Sequence, residues 1–429
     1  RSVLQALQQI AQAEHNTRMP LRLLFLVARE RQCFCDGATT TPCDWQTGFF
    51  DRLTAARLHF QQQSHWSSDD LLQLAQQFRL CPHALSRHLL PWVDLVVCDF
   101  NYVFDPNARL HDYLDANEKH IALLVDEAHN LPERARDMFS GQLHQPQLES
   151  AAKQMKKGAP KKHLKQLLQF FPTANATPTA QPQLPEALAT TVTLLAEEWL
   201  DWFAQQQWLV FPDETFETLI ACVRFARRAQ QWQAEDRLIT RSDPVPTLEI
   251  FCTDPAPRTG NISRQFHSSA FFSGSLLPLE YFARALSDEP FASQLNLPSP
   301  FPPQHQCTLI VPVNTRFDAR AHSVAPIAEL ITTVWNTRPG RYLVSFPSYP
   351  YLQDVLHYLQ QHHADLPLLA QTSGTQGNDI FLETLQQSEY LALVIAGGSF
   401  AEGLDLQDNK LHGVIIVGTC MPPPSLQRE

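Results

Sequence analysis

The chain has 429 residues, 44% of them hydrophobic, and a formal net charge of −11. This length predicts two to four domains, and the acidic balance excludes a basic field over the whole molecule, so nucleic-acid binding would need a local basic track. No apolar run approaches the roughly 18 residues of a membrane span, and the chain starts with an amphipathic helix pattern rather than a signal peptide. We therefore predict a cytoplasmic protein without a membrane partner.

Cysteines are concentrated in the first quarter of the chain, which holds five of the nine: Cys33, Cys35, Cys43, Cys81 and Cys98. An odd number without a secretion signal argues against a disulfide framework. The first three lie in a loop after a predicted buried strand, Leu21–Val27, and Cys81 precedes a proline at the start of a predicted helix. Four such thiolates can hold zinc or an iron–sulfur cluster. The spacing of the cysteines does not distinguish between these two occupants, and it does not distinguish a metal site from a set of unrelated thiols. We interpret Cys98, which follows a predicted strand, as a core thiol.

The stretch Ile121–Asn130 reads IALLVDEAHN. Its continuous apolar run predicts a strand buried on both faces of a parallel sheet. Ligands bind beyond the carboxyl ends of such strands, so we expect Asp126 and Glu127 to face a ligand crevice. Two adjacent acids there can divide the chemistry, one holding Mg²⁺ and the other orienting a water against a phosphate. A surface turn after an ordinary strand is the alternative.

The segment from Glu133 to Val245 predicts a helical insertion. Its lysines can guide a DNA backbone or form a solvated helix face: Lys153, Lys156, Lys157, Lys161, Lys162 and Lys165. Strand patterns return at Thr247–Cys252 and Ala270–Ser273, and the second runs into the turn Ser273-Gly274-Ser275.

From Leu286 onward a second α/β unit is predicted. Five short apolar strands alternate with helical patterns: CTLIVPV, YLVSF, LPLLAQ, LALVIAG and GVIIVG. This alternation favours a parallel, doubly wound sheet. Glycines after the fourth strand would let a backbone approach a sugar-phosphate chain closely: Gly397, Gly398 and Gly403.

Several of these strings together resemble one family. DEAH after an apolar strand resembles motif II (Walker B) of superfamily 2 helicases, and FFSGSLLP occupies the place of motif III. The strings CPHALSRHLLPWVDLVVCDFNYVFDP and LLVDEAHNLPERARDM resemble the XPD/DinG-like iron–sulfur DNA helicases. RYLVSFPSYPYL resembles motif IV, and GGSFAEGLDLQDNKLHGVIIVG resembles motif V. The resemblance implies an α/β fold of two RecA-like, doubly wound parallel-sheet lobes with an iron–sulfur insert and a helical arch insert.

The resemblance also implies a division of the chain into six segments. These are helicase lobe 1 in residues 1–30, the iron–sulfur cluster insert in 31–92, lobe 1 with the DEAH motif in 93–132, the arch domain in 133–245, lobe 1 again with motif III in 246–285, and lobe 2 with motifs IV and V in 286–429.

Roles for single residues follow from the same resemblance. Asp126 would hold Mg²⁺ through water, Glu127 would position or deprotonate the attacking water, and His129 would link the ATP site to motif III. Coupling of the nucleotide to the motifs would use Ser273, Ser275, Glu402, Gly403 and Asp405. DNA would contact Asn101, Tyr102, Ser345, Ser348, Gly397 and Gly398. The ligands of a [4Fe–4S] cluster would be Cys33, Cys35, Cys43 and Cys81.

The sequence contains no GxxxxGK[ST] loop, whose backbone amides and lysine hold a triphosphate. In the family this loop precedes the cysteine insert, and motif VI follows motif V. We therefore expect the chain to be an internal piece of a longer protein and not to turn over ATP alone.

The predicted function is that of an ATP-dependent DNA helicase, a monomer that moves 5′ to 3′ on single-stranded DNA and serves DNA repair. Its predicted ligands are ATP, Mg²⁺, single-stranded DNA and duplex-junction DNA. One alternative is a hydrolysis-dead, single-stranded DNA-binding module with a structural zinc site. Another is a nucleotide-binding enzyme that does not act on DNA, which motif V and the cysteine insert together disfavour.

Overall fold

The computed structural model describes residues 22–27, 33–34, 45–62, 65–154, 161–205, 213–371, 381, 384, 389–397 and 411–419. The chain divides into two compact units, Arg1–Asn296 and Leu297–Glu429. Within the described residues, no helix combines the length and the apolar character that a membrane span requires.

The first unit begins with three parallel strands, β1 (Leu23–Phe25), β2 (His65–Trp66) and β3 (Leu95–Val97), in the order β2-β1-β3. The strand predicted at Leu21–Val27 is confirmed in part, since Leu23–Phe25 form β1. The helices here are α1 (Phe49–Phe60), α2 (Ser68–Gln77), α3 (Pro82–Leu89), α4 (Asn101–Phe104) and α5 (His111–Asn117). Local sequence explains two helix starts, because Ser67 and Asp70 form a capping box before α2 and Pro82 occupies the first turn of α3.

The DEAH sequence follows a second parallel pair, β4 (Ala122–Val125) with β9 (Ser268–Phe271). Helix α6 (Leu131–Phe139) follows the DEAH turn, α11 (Ala256–Gln265) precedes β9, and α12 (Leu279–Leu286) follows it.

The prediction that the DEAH strand is buried on both faces is wrong. Leu123 and Val125 are buried in the core, whereas Leu124 between them is 64% exposed. A continuous apolar run is buried on both sides only where other elements cover both faces of its sheet. The described core covers one face of β4.

The middle of the first unit has a core of its own. Strands β5 (Gly141–His144), β6 (Thr179–Gln181), β7 (Asp236–Arg241) and β8 (Thr247–Cys252) form an antiparallel sheet in the order β5-β8-β7-β6. Helices α7 (Gln145–Gln154), α8 (Lys161–Leu167), α9 (Glu186–Gln205) and α10 (Asp213–Gln230) belong to the same region. Trp199, Phe225 and Ile250 are buried together in its core.

This middle region corrects two sequence predictions. The predicted helical insertion is helical in large part, but it also contains β5, β6 and β7. The predicted strand at Thr247–Cys252 exists as β8, yet it pairs antiparallel with β5 and β7 rather than joining the sheet of β4. Short strands such as β6, with all three residues exposed, carry no apolar alternation that a sequence pattern could register.

A buried joint anchors the end of α6 to the middle region. The phenyl ring of Phe139 lies near two guanidinium groups, with the Cζ atoms of Arg228 and Arg258 at 5.9 and 5.5 Å from the ring centroid. Arg228 on α10 donates to the Met138 carbonyl at 2.6 Å. Arg258 on α11 binds both carboxylate oxygens of Asp236, at 2.9 and 2.6 Å. Burial lowers the pKa of Arg228 to about 10, so this side chain stays charged at neutral pH. The helix after the DEAH turn and the helix before β9 therefore share one anchor.

The second unit is a parallel α/β layer. Strands β10 (Arg341–Phe346), β11 (Leu368–Ala370), β12 (Leu391–Ile395) and β13 (Leu411–Ile416) pair in the order β11-β12-β10-β13. Helices α13 (Arg320–Thr337) and α14 (Tyr349–His362) pack on this sheet through Ile331, Tyr351 and Val355. The predicted parallel sheet of this unit is confirmed.

The first strand predicted for this unit, CTLIVPV at residues 307–313, is not a strand. Leu309 and Ile310 are 81% and 92% exposed, and the segment has no regular secondary structure. An apolar pattern does not supply a neighbouring strand, and Pro312 has no amide hydrogen to contribute to a ladder.

Candidate active site

The pairing of β4 with β9 brings the DEAH turn and the Ser-Gly-Ser turn side by side. Val125 lies opposite Phe271, and the Phe272 N–H donates to the Val125 carbonyl at 3.0 Å. The Ala128 N–H in turn donates to the Phe272 carbonyl at 3.2 Å. Because parallel strands end at the same edge of a sheet, the side chains that follow them face a common space.

Four side chains meet at this edge in one hydrogen-bonded cluster: Glu127, His129, Ser273 and Ser275. The Ser273 hydroxyl donates to Glu127 Oε2 at 2.8 Å. His129 Nδ1 lies 2.8 Å from Ser273 Oγ, 3.0 Å from Ser275 Oγ and 3.3 Å from Glu127 Oε2. The Ser275 N–H donates to Ser273 Oγ at 3.2 Å. The DEAH histidine thus contacts both hydroxyls of the Ser-Gly-Ser turn, and the functional roles of these residues stay predictions.

The cluster differs from a nucleophilic serine–histidine–acid triad. In a triad one imidazole nitrogen accepts the serine proton while the acid binds the other nitrogen. Here the two hydroxyls and the Glu127 carboxylate all approach the same nitrogen, Nδ1 of His129. Ser273 also gives its single hydroxyl hydrogen to Glu127. The arrangement orients a carboxylate and ties it to the neighbouring turn.

The acid pair has a distinctive backbone. Glu127 adopts the left-handed conformation, with φ 46° and ψ 41°, which costs a residue with a Cβ atom about 1–2 kcal/mol. Its N–H donates to Asp126 Oδ1 at 2.8 Å, and its side chain is 62% exposed. Asp126 is also exposed, so both carboxylates reach solvent. Exposed carboxylate oxygens are the ligands that Mg²⁺ prefers, together with waters and phosphate oxygens, so Asp126 fits a magnesium site.

Arg109, which the sequence analysis did not single out, fixes the other end of the β4–β9 pair. Its guanidinium is buried and donates to Glu118 Oε2 at 3.0 Å and to Gln265 Oε1 at 3.2 Å. Glu118 precedes β4, and Gln265 ends α11 just before β9. The His267 N–H donates to the Glu118 and Ile121 carbonyls, both at 3.1 Å, which closes the start of the pair. A lone arginine in a loop carries no sequence signal for such a role.

The predicted DNA residues of the first unit lie on α4. Asn101 begins this helix, and the Tyr102 hydroxyl donates to the Val27 carbonyl at 3.0 Å, just beyond β1. Nearby, burial and then the charge of Asp99 raise the pKa of Cys98 to about 12. Cys98 is therefore a neutral thiol, as a core position requires.

Two of the four predicted cluster ligands lie within the described residues. The ring of Phe34, next to Cys33, packs on Trp45 with centroids 4.7 Å apart. The Trp45 carbonyl accepts a hydrogen bond from the Cys81 N–H at 3.0 Å. Cys81 precedes α3, but its side chain does not cap that helix. The segments of Cys33 and Cys81 thus meet at one tryptophan, and thiolate side chains are fitting ligands for iron.

Cys35 and Cys43 lie outside the described residues. In the part of the chain that the structure describes, no group of three or more His, Cys, Asp or Glu side chains is arranged to hold a metal ion.

The predicted sites of the second unit are described in part. Ser345 lies on β10, and Ser348 precedes α14. Gly397 follows β12 with φ 71°, a conformation that favours glycine. Four predicted residues of motif V lie outside the described residues: Gly398, Glu402, Gly403 and Asp405.

Comparison with known proteins gives matches to helicases along the chain. The DEAD_2 family model matches residues 28–148, and the model described as Helicase C-terminal domain matches residues 331–429. The ATP-dependent DNA helicase CHL1 of Yarrowia lipolytica is 23% identical over 83% of this chain and 52% of its own length. The ATP-dependent DNA helicase XPD of Sulfolobus acidocaldarius is 21% identical over 81% of this chain and 62% of its own length. The chain thus spans about half to three-fifths of these two relatives.

Solved structures agree in fold. A structure described as XPD_Helicase superimposes with a TM-score of 0.59 at 17% identity, over 98% of this chain and 76% of that one. A second, described as XPD_APO, gives a TM-score of 0.52 at 19% identity, over 80% and 69% of the two chains.

Together these matches define the chain as a superfamily 2 helicase with RecA-like lobes. Within that class it belongs to the XPD-like family.

The left-handed backbone of Glu127 gives a test of the turn. Replacing Glu127 by Gly removes the Cβ atom that opposes φ 46°, whereas replacing it by Ala removes the carboxylate and keeps the Cβ atom. We expect Glu127→Gly to have a free energy of unfolding about 1 kcal/mol above that of Glu127→Ala, measured by urea denaturation. Equal stabilities of the two variants would contradict the left-handed conformation at this position.

Proposed function

We propose that this protein is an ATP-dependent DNA helicase that moves 5′ to 3′ on single-stranded DNA, unwinds duplex DNA and serves DNA repair. The observation that carries the proposal is the hydrogen-bonded cluster at the carboxyl ends of β4 and β9. It holds one carboxylate, Glu127, through Ser273 and His129, beside a second acid, Asp126. Relatives named ATP-dependent DNA helicases support the activity. Direction and pathway rest on the sequence resemblance.

In this proposal each member of the cluster has one task. Glu127 would position or deprotonate the water that attacks the γ-phosphate, with ADP as the leaving group, and Asp126 would hold Mg²⁺ through water. A bound Mg²⁺ would neutralise charge on the phosphate oxygens. Ser273 holds the Glu127 carboxylate, and His129 ties its position to Ser275, so that a change at the phosphate moves the following turn.

The remaining predicted residues would contact DNA or couple ATP hydrolysis to movement on DNA. DNA would bind at Asn101, Tyr102, Ser345, Ser348, Gly397 and Gly398, and coupling would use Glu402, Gly403 and Asp405. The six segments drawn from the sequence are proposed as the domains of this helicase. A cytoplasmic location and a monomeric state are proposed from the sequence alone.

We also propose that Cys33, Cys35, Cys43 and Cys81 hold a [4Fe–4S] cluster. The approach of the Cys33 and Cys81 segments to Trp45 supports a common site for these thiolates. The cysteine-containing insert would act as a wedge at the duplex fork. The alternative occupant of the four-cysteine site is a structural zinc ion.

The catalytic roles are tested by DNA-stimulated ATP hydrolysis on the product of the whole reading frame. Removing a general base costs about 10²–10⁴-fold in rate, so we expect Glu127→Gln to lower kcat at least about 100-fold while single-stranded DNA binding persists. Glu133→Gln, an exposed substitution on α6, is the matched control and should leave kcat unchanged. DNA binding without any stimulated hydrolysis in the wild type would instead favour a hydrolysis-dead binding module.

The cluster is tested by metal analysis of the chain purified without oxygen. We expect about four iron and four sulfide per chain, and their loss in Cys81→Ser because a thiolate ligand is removed. Cys307→Ser, at an exposed cysteine, is the control and should retain the iron. A colourless protein that contains zinc would rule out the iron–sulfur assignment.

A further inference from the structure

A basic and aromatic cluster lies at the start of α13 in the second unit. The guanidinium of Arg320 stands over two rings, with its Cζ atom 5.2 Å from the ring centroid of Phe317 and 5.1 Å from that of Tyr351. Its NH1 group donates to Ser348 Oγ at 3.3 Å. Tyr351 is buried, and its hydroxyl is hydrogen-bonded to Ser323. These contacts hold the plane of the guanidinium in one orientation.

Among the residues that the structure describes, no carboxylate pairs with the charge of Arg320. In the described part of the chain its only hydrogen-bond partner is the neutral hydroxyl of Ser348, and its buried Nε has none. The nearest acid along the chain, Asp318, is exposed, and no ion pair with Arg320 is found within the described residues. An arginine fixed by aromatic rings and left without a carboxylate is suited to a phosphate, because its planar fork can donate two parallel hydrogen bonds.

Ser348 has a hydroxyl hydrogen to offer at the same place. A serine that precedes a helix usually accepts a hydrogen bond from the first turn. Ser348 precedes α14, yet its side chain makes no such bond and accepts from Arg320 instead. Within the described residues its hydroxyl hydrogen has no acceptor, so it can donate to an oxygen bound beside Arg320.

Phe317 adds an apolar surface next to these donors. Its ring is 86% exposed, and within the described residues Arg320 is the side chain that lies over one of its faces. An exposed aromatic face beside hydrogen-bond donors for a phosphate fits a nucleotide better than a free phosphate ion. The reason is that any of the bases can stack on such a face.

We propose that Phe317, Arg320 and Ser348 bind one nucleotide of single-stranded DNA. Arg320 and Ser348 bind the phosphate, and the open face of Phe317 stacks on the base. The inference rests on the proposed function and adds Phe317 and Arg320 to the DNA-binding residues predicted from the sequence. The chain carries a net charge of −11, so its affinity for DNA depends on few local contacts of this kind.

Equilibrium binding of a fluorescein-labelled oligothymidylate, followed by anisotropy over a range of salt concentrations, tests the two contacts separately. Loss of one phosphate contact lowers the slope of log K against log salt by about 0.7 for a single strand, so Arg320→Gln should show this change. Phe317→Ala should weaken binding about 5- to 150-fold with the slope unchanged, because stacking carries no charge. Phe317→Trp should restore the affinity.

An abasic strand of the same length distinguishes base stacking from phosphate binding. Phe317→Ala should bind this strand as the wild type does, whereas Arg320→Gln should again show the lower slope. Two variants serve as matched controls: Arg338→Gln at the opposite end of α13, and Phe301→Ala at another exposed phenylalanine. Both should bind as the wild type does.

The inference is overturned if Arg320→Gln keeps the wild-type slope, or if Phe317→Ala keeps the wild-type affinity for oligothymidylate. If thermal denaturation shows that Arg320→Gln is not folded, the two variants at the exposed Phe317, Phe317→Ala and Phe317→Trp, decide the question alone. Absence of DNA binding by the wild type is a different result, because it removes the proposed function itself.

Discussion

The parallel pairing of β4 with β9 is the constraint on which the candidate active site depends. It aligns Val125 with Phe271, and the backbone bonds one step further bring the DEAH turn against the Ser-Gly-Ser turn. A slip of one residue would turn Ser273 to the opposite face of the sheet and away from Glu127. The register is held at its start by Arg109 and at its end by the cluster around His129.

The same pairing connects the candidate active site with distant parts of the first unit. Helix α6 leaves the DEAH turn and ends at Phe139, where Arg228 from the middle region and Arg258 from α11 converge. Helix α11 leads directly into β9. Both strands that form the site are therefore continuous with helices held at one buried joint. Close-packed side chains therefore join the DEAH turn to the middle region.

The sequence predicts the features that depend on neighbouring residues, and it predicts less well those that depend on residues far apart in the chain. DEAH is a local string after a short apolar strand, so its place at the end of β4 follows from pattern alone. The strand predicted at Ala270–Ser273 is observed as β9 at Ser268–Phe271, so that Ser273 follows the strand instead of lying in it. The burial of Leu124 was mispredicted because it depends on what covers the second face of the sheet. The strand Thr247–Cys252 was recognised, yet its partners β5 and β7 lie far away in the sequence.

The interactions of single arginines carry even less signal. No motif in the sequence marks Arg109 or Arg320, and the significance of each comes from partners brought together by the fold. Exposed apolar residues mislead in the other direction, since Leu309 and Ile310 form a strand pattern without a neighbouring strand.

In the proposed function, the contact of His129 with Ser273 and Ser275 couples ATP hydrolysis to movement on DNA. The most direct measurement is the number of ATP molecules hydrolysed per base pair unwound by the product of the whole reading frame. In a Ser275→Ala variant, which leaves the Ser273–Glu127 hydrogen bond in place, the account predicts continued DNA-stimulated hydrolysis and a clear rise in this number. An unchanged ratio, with unwinding and hydrolysis falling together or not at all, would contradict it.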